Sequence, residues 1–310
     1  MPRTARQGSS RVMRWESEVK LSDEVRWRIG GAATRFGRVA SVSHLVEALA
    51  ELAGEPFLTL GWGANLLVAD RGVTSPVLVL GDELDSIRTS PGRIEAGGAA
   101  GLPALVGEAR RIGAEGWCFL EAVPGSIGGG LRMNAGSADT GIWDRVIEAE
   151  AVTPDGEIVR LTAAEARPTY RRVEIPEDWV FTSARFETVP GDPEAVEAEH
   201  FERRRRKVAT QVYDFPSCGS VWKNPGAGWG SAWELVDAVG MRGARTGGAQ
   251  ITEKHANFIA NLDRAKAEHV LALMCETRRR VLEHVGIALE PEIRFWGFET
   301  EELQSVGAVS

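Results

Sequence analysis

The sequence predicts an α+β fold of more than one domain, and three observations carry that reading. Short β-rich runs alternate with amphipathic helices, the middle of the chain is dominated by strand-like runs and turns, and the last third becomes helical. At 310 residues the chain exceeds the roughly 100–200 residues of one domain, so two or three are expected.

Residues 1–15 are polar and read as a loose tail. Val42, Leu45, Val46 and Leu49 fall at i, i+3, i+4 and i+7 behind Ser41 or Ser43 as N-cap, predicting a helix over about 42–53 that stops at Gly54. FLTLG (57–61) and PVLVL (76–80) read as buried strands. Leu102, Leu105, Val106, Ala109 and Ile112 mark a helix ended by Gly113. VIEAEAVTPDGEIVRL (146–161) is a strand pair turning at Pro154-Asp155-Gly156. TVPGDPEAV (188–196) has the composition of a domain boundary. Helices follow at 194–209, about 231–239 and 263–285, the last with Val270, Met274, Val281 and Val285 on one stripe, Asp263 near its start and Gly286 past its end. LEPEIRFWG (289–297) reads as a strand with Glu290, Glu292 and Arg294 on one face.

Composition excludes several classes. The net charge of −8 argues against nucleic acid or an anionic membrane as main partner, while leaving room for a local basic pocket. Cys118, Cys218 and Cys275 lie far apart, so there is no Cys-x-x-Cys pair and no metal centre is expected. The basic start lacks the apolar core of a signal peptide, and no run approaches the ~20 apolar residues of a membrane span. A soluble, cytoplasmic protein is expected, with a monomer favoured.

Two glycine-rich segments stand out. LGWGANLLVADRG (60–72) runs from a strand into a Gly-x-Gly-x-Asn turn, whose successive N–H groups can form a concave anion site. VPGSIGGGLRMNAG (123–136) carries five glycines in fourteen residues, leaving its backbone open to a ligand. Taken singly, each is equally a tight turn at a sheet corner. Neither fits the Rossmann fingerprint, and there is no Walker lysine, so a dinucleotide would need another fold. FERRRRKV (201–208) spreads its cations around a helix and reads as a solvated face. SCGSVWKNP (217–225) gathers a hydroxyl, an amine and an amide, but is no Gly-x-Ser-x-Gly elbow; a turn stapled by its own side chains explains it as well. His255, in KHANFI, reads as a hydrogen-bonded structural histidine.

In order, WRIGGAA (27–33), GWGANLLVADRG (61–72), VPGSIGGGLRMNAG (123–136), YRR (170–172), PSCGSVWKNP (216–225), GMRGARTGGAQITEKHANFIAN (240–261) and LEPEIRFWG (289–297) resemble the UDP-N-acetylenolpyruvoylglucosamine reductase family, in its shorter form without the extra tyrosine loop. The resemblance spans nearly the whole chain. It implies a vanillyl-alcohol-oxidase/PCMH-type FAD-binding fold, with subdomains at 16–84 and 85–195, a C-terminal α/β substrate-binding domain at 196–288, and a strand and tail at 289–310 returning to the active site. The implied cofactor is FAD and the implied co-substrate NADPH, although no motif separates NADPH from NADH. The implied substrate is a UDP-sugar bearing an enolpyruvyl ether.

By the same resemblance Arg171, Ser220 and Glu292 are catalytic. Ser220 is the proton donor, and Arg171, assisted by Glu292, steadies the enolate-like charge. Gly61, Trp62, Gly63, Ala64, Asn65 and Leu66 with Pro124, Gly125, Ser126, Gly128, Gly129 and Asn134 hold FAD, and Tyr170, Asn224, Arg242, His255 and Arg294 hold substrate. Four departures stand against the family pattern. Trp62 is bulky where small residues are usual and Ala64 lacks a hydroxyl that could bond the pyrophosphate, so FAD binding is expected to weaken without being abolished; Val173 stands where the family has a serine, and Gln211 lacks its usual following proline. Two other classes share these residues: an oxidase of the same fold, which would react rapidly with oxygen and ignore UDP-sugars, and a UDP-sugar-binding paralogue without flavin, which would be colourless.

Overall fold

The computed structural model describes residues 13–137 and 139–308; most of the polar tail, residues 1–12, lies outside the described residues. Its mixed helices and sheets are those of an α+β chain.

The first lobe is a four-stranded sheet in the order Trp15–Glu16, Phe36–Val39, Val77–Leu80, Leu58–Leu60. Its last three strands run parallel, which requires a crossover, and the helix Val42–Leu52 supplies it. Ser41 is the cap, its hydroxyl accepting from His44 N at 3.2 Å, and the helix ends on Ala53 in the left-handed region one residue before Gly54. Leu45, Leu49 and Leu52 face the sheet and share a core with Val152 and Val180 of the next lobe.

The second lobe is a five-stranded antiparallel sheet, Ile158–Leu161, Val146–Val152, Val180–Glu187, Arg93–Gly97, Ile87–Ser90. The hairpin expected over 146–161 is its edge. The helix Leu102–Arg111 covers the sheet. The segment read as open glycine turn contains a short helix, Ile127–Arg132, because Ser126 caps it by accepting from Gly129 N at 3.3 Å.

The remaining chain has a three-stranded sheet (Arg245–Thr246, Ala249–Ile251, Ile259–Asn261) packed on the helix Ala267–Val285. Asp263 does not cap that helix. Ala267 N and Glu268 N donate to the carboxylate of Asp70 in the first lobe, at 3.0 and 3.3 Å. Trp27, Ile29 and Leu67, also from the first lobe, are buried in this C-terminal core, and Trp27 Nε1 donates to Ile259 O at 2.9 Å. The strand expected over 289–297 is regular only at Arg294–Trp296, which runs parallel to Leu66–Val68, and the tail beyond it forms a helix, Thr300–Val306. No helix among the described residues is long and apolar enough to cross a membrane.

Candidate active site

The two glycine-rich segments meet. A side chain at Gly61 would strike Ser126 Oγ at 2.4 Å, and Gly101 pairs in an isolated bridge with Ser126. In the turn after Leu58–Leu60, the N–H groups of Trp62, Gly63, Ala64 and Asn65 find no backbone acceptor among the described residues. Such a run of free donors at a turn suits an anion, and a pyrophosphate fits it. Gly63 has a second reason to be glycine: at φ +56, a Cβ there would collide with Val25 Cα at 2.6 Å. Trp62 is 42% exposed and lays its indole over Gly101, spanning from one lobe to the other.

Leu66 is buried as the first residue of its strand. Asn65 is committed on both sides, its Nδ2 donating to Glu292 O at 3.0 Å and its carbonyl accepting from Arg294 N at 2.9 Å. Glu292 N in turn donates to Val221 O at 2.8 Å. The Gly61–Asn65 turn, the strand after Pro291 and the segment following Ser220 are thereby one hydrogen-bonded frame. Pro124 and Gly125 enter the short helix, and Gly125, at φ +139, sits where L side chains are strained. A Cβ on Gly128 would stand 3.1 Å from Phe181 O, and one on Gly129 3.3 Å from Ser126 Oγ. Asn134 is turned to the other side of the site, donating to Thr169 O at 3.0 Å beside Tyr170.

Arg171 and Glu292 form a partly buried ion pair, Nε to Oε1 at 2.6 Å, with side-chain exposures of 17% and 14%. A second Arg171 donor reaches Gly136 O at 3.1 Å, and its guanidinium lies 4.8 Å from the Tyr170 ring centroid. Burial pushes the Glu292 carboxyl above its ordinary value, and Arg171 pulls against that. The Tyr170 phenol is likewise raised by burial and then by Glu292, opposed by Arg171 and a backbone group of Asn224. Asn224 Oδ1 accepts from Ala232 N at 2.9 Å, fixing the loop that follows Ser220. Val173 is buried in the second lobe's core.

Ser220 pairs in a bridge with Phe258, and the next residues are held by Asn257, whose amide bonds both Trp222 N (2.9 Å) and Trp222 O (2.8 Å). Asn257 was not singled out in the sequence. Its only signal is an amide inside the otherwise apolar ANFI run.

Arg242 and His255 are neighbours. Arg242 donates to Asp237 Oδ1 at 2.6 Å and to Glu253 O, leaving part of its fork free. The His255 ring packs against Phe258, centroids 4.6 Å apart, and its Nδ1 accepts from Asn257 N at 3.3 Å, so the neutral ring carries its proton on Nε2. Burial and then the Arg242 charge lower its pKa from 6.5 to about 4. Above pH 6.5 neither folded nor unfolded state is protonated there; between 6.5 and 4 only the unfolded chain takes the proton, so stability is lost as pH falls through that window. Thermal melts from pH 7 to 4 are expected to show a shallower loss for His255→Asn than for the wild type; identical slopes would remove His255 as the cause.

The same-face expectation for Glu290, Glu292 and Arg294 is not met. Because pairing starts only at Arg294, Glu292 turns inward while Arg294 points out to Glu177 at 2.9 Å and Glu290 stays exposed. A cavity of about 520 Å³ lies on the outer side of Trp62, between Arg26, Arg28, Tyr213 and Phe215, and a smaller one of about 170 Å³ lies against Tyr170, Arg171 and Asn134. The larger has the size of a ligand site but lacks Ser220 among its lining residues; the hydrogen-bonded frame is the better guide to the chemistry.

Known proteins resemble this chain along most of its length. Residues 34–162 match the family model of an FAD binding domain, and residues 211–296 that of the UDP-N-acetylenolpyruvoylglucosamine reductase C-terminal domain. The chain is 38% identical over 280 residues to UDP-N-acetylenolpyruvoylglucosamine reductase of Erythrobacter litoralis (90% of this chain, 86% of the relative) and 39% over 287 residues to that of Paracoccus denitrificans (88% and 92%). The crystal structure of UDP-N-acetylenolpyruvylglucosamine reductase from Thermus caldophilus superposes with a TM-score of 0.80 at 32% identity, covering 92% of this chain and 99% of that one. This chain belongs to the UDP-N-acetylenolpyruvoylglucosamine reductase family.

Proposed function

We propose that the chain is an NADPH-dependent, FAD-containing reductase that converts UDP-N-acetylglucosamine enolpyruvate to UDP-N-acetylmuramate in peptidoglycan precursor synthesis. The observation that carries this reading is the partly buried Arg171–Glu292 pair, held in one frame with the Gly61–Asn65 turn and the Ser220 segment. FAD, when bound, supplies the relay that carries a hydride from reduced nicotinamide to the terminal methylene of the enolpyruvyl group. The turn at Gly61–Leu66 would hold its pyrophosphate, and the segment from Pro124 to Gly129 would line its path between the lobes.

The chain's own residues do the rest. Hydride delivery leaves negative charge beside the substrate carboxylate, and Arg171 offers a preorganised cation for it. Glu292 fixes the direction of that guanidinium. Ser220 gives the proton to the same carbon. Arg242, with its free donors, and His255, through Nε2–H, bind the UDP side, while Tyr170 and Asn224 border the sugar. Arg294, paired with Glu177 on the outside, contributes from the rim. A cytoplasmic monomer that takes a UDP-sugar and NADPH, and no nucleic acid, completes the reading.

The protein is expected to purify yellow, or to take up FAD stoichiometrically, and to be bleached anaerobically by NADPH. A colourless protein that ignores added FAD sinks the reading. Gly125→Val should lose the flavin, because a β-branched residue is strained at φ +139; flavin content is read per folded protein, checked by circular dichroism. Arg242→Ala should weaken UDP-sugar binding about 10- to 150-fold, the worth of one charge-assisted hydrogen bond. Calorimetry that shows unchanged affinity would remove Arg242 from the substrate site.

A further inference from the structure

From the sequence, the bulk of Trp62 counts against FAD binding. The place of its ring gives the residue a different part. The indole crosses from the first lobe to the second and rests on Gly101, the residue that opens the helix Leu102–Arg111. A Cβ on Gly101 would stand 2.4 Å from Cη2 of the ring and 2.5 Å from Cζ2. The backbone there is extended, φ −77 and ψ 138, which any residue adopts, and the three atoms nearest to that Cβ all belong to Trp62. Gly101 is glycine because the indole lies on it.

Gly101 is also part of the second glycine-rich segment's frame. It bridges to Ser126, Leu102 N donates to Gly125 O at 2.8 Å, and Ile127 N donates to Ala100 O at 2.8 Å. A ring that starts in one glycine-rich segment therefore presses on the support of the other.

The lobes have little else to hold them at that point. Their shared core joins Leu45, Leu49 and Leu52 to Val152 and Val180, and takes in no residue of either glycine-rich segment. Where the segments meet they bring mainly glycines and Ser126, which bury little apolar surface. Tryptophan carries a large apolar area, and more than half of Trp62 is covered. The covered face stays out of water only while the lobes are together, so its burial opposes their separation. On its outer side the ring borders the cavity of about 520 Å³ that Tyr213 and Phe215 also line, which leaves it room to turn aside when the lobes part. With the ring in this place the N–H groups of residues 62–65 still find no backbone acceptor among the described residues, so the anion site of the turn is not spent.

We propose that Trp62 is a clasp: its indole, seated on Gly101, keeps the two lobes closed on bound FAD and slows release of the cofactor. This assignment rests on FAD lying between the two glycine-rich segments, as in the proposed function, and not on the reaction that the flavin performs. Size alone predicts the opposite sign. An obstructing tryptophan weakens FAD binding, whereas a clasp strengthens it by holding the cofactor in.

The test needs FAD and the full-length protein. Wild type, Trp62→Ala, Gly101→Ala and the double variant are loaded with FAD and diluted into FAD-free buffer, and release is followed by the rise of flavin fluorescence. Calorimetry on the flavin-free proteins gives the affinity, and circular dichroism restricts the comparison to folded protein. Trp62→Ala should release FAD about 10- to 100-fold faster, the worth of uncovering roughly 100 Å² of apolar ring. Gly101→Ala displaces the ring without altering the first lobe and should have a similar effect. The double variant should be no faster than Trp62→Ala, because alanine at 101 then has nothing to displace. Amide hydrogen exchange over residues 98–105 of the loaded protein should rise in all three variants. Tighter FAD binding by Trp62→Ala makes Trp62 an obstacle and overturns the clasp. A wild-type release rate in Gly101→Ala, or additive effects in the double variant, overturns it as well. A wild-type protein that takes up no FAD overturns the clasp and the proposed function together, and one that holds FAD through the clasp without reducing the enolpyruvyl ether sinks the proposed function alone.

Discussion

Ser220→Ala is expected to slow reoxidation of the reduced flavin by the enolpyruvyl substrate by about 10²–10⁴, the usual worth of a positioned general acid. Reduction of the flavin by NADPH should proceed at the wild-type rate. The change removes a hydroxyl and little volume. Ser220 is held by its backbone bridge to Phe258, and the following residues by Asn257, so the frame does not depend on the side chain. A serine hydroxyl is a poor acid unless its conjugate base is stabilised, and the nearby Arg171–Glu292 pair and Lys223 provide a polar environment for that. Stopped-flow measurement of the two half-reactions separates the possibilities. Equal reoxidation rates in both proteins would make Ser220 a turn residue and move the donor elsewhere.

Arg171→Met should cost about 10²–10³ in the same half-reaction, the range for removing one preorganised donor from a developing anion. It should also destabilise the fold, because it leaves the partly buried Glu292 without its paired cation. Burial already raises the Glu292 carboxyl, and Arg171 is the main force holding it down. Without that cation its pKa climbs further, so the variant should gain stability more steeply than the wild type as pH falls. Glu292→Gln in the Arg171→Met background is expected to recover much of the lost melting temperature and none of the rate. Recovery of the rate would assign Arg171 a purely structural part, and a single variant that reoxidises at the wild-type rate would exclude it from charge stabilisation.

The pH dependence of His255 shares one cause with the Arg171 effect: each concerns a titratable group drawn from water, set by a neighbour from a distant part of the chain. That is why the family motifs located Arg171, Glu292, Arg242 and His255 as residues without disclosing their state. The run of five consecutive basic residues in the helix Pro193–Thr210 has no period, so the sequence does not say which side turns inward; the docking of His200 on Glu121 decides it.

The sequence by itself determined what local forces control. Apolar spacing placed the helices Val42–Leu52, Leu102–Arg111 and Ala232–Ala238 to within a residue or two. A serine cap at 41 or 43 and the turn Pro154-Asp155-Gly156 were marked, because cap and turn hydrogen bonds form within four residues; the structure chose Ser41. The motif order identified the family, since each motif is a short string whose chemistry survives without knowledge of the fold. Only the tertiary structure decided the rest. The cap of Ala267–Val285 comes from Asp70, 197 residues away, and the partner of Glu292 from Arg171, 121 residues away. Trp27 leaves its own lobe to fill the C-terminal core. Glu290, Glu292 and Arg294 do not share a face because regular pairing begins at Arg294, where Leu66–Val68 offers its edge. These choices depend on burial and on partners brought together by chain closure, and neither leaves a period in the sequence.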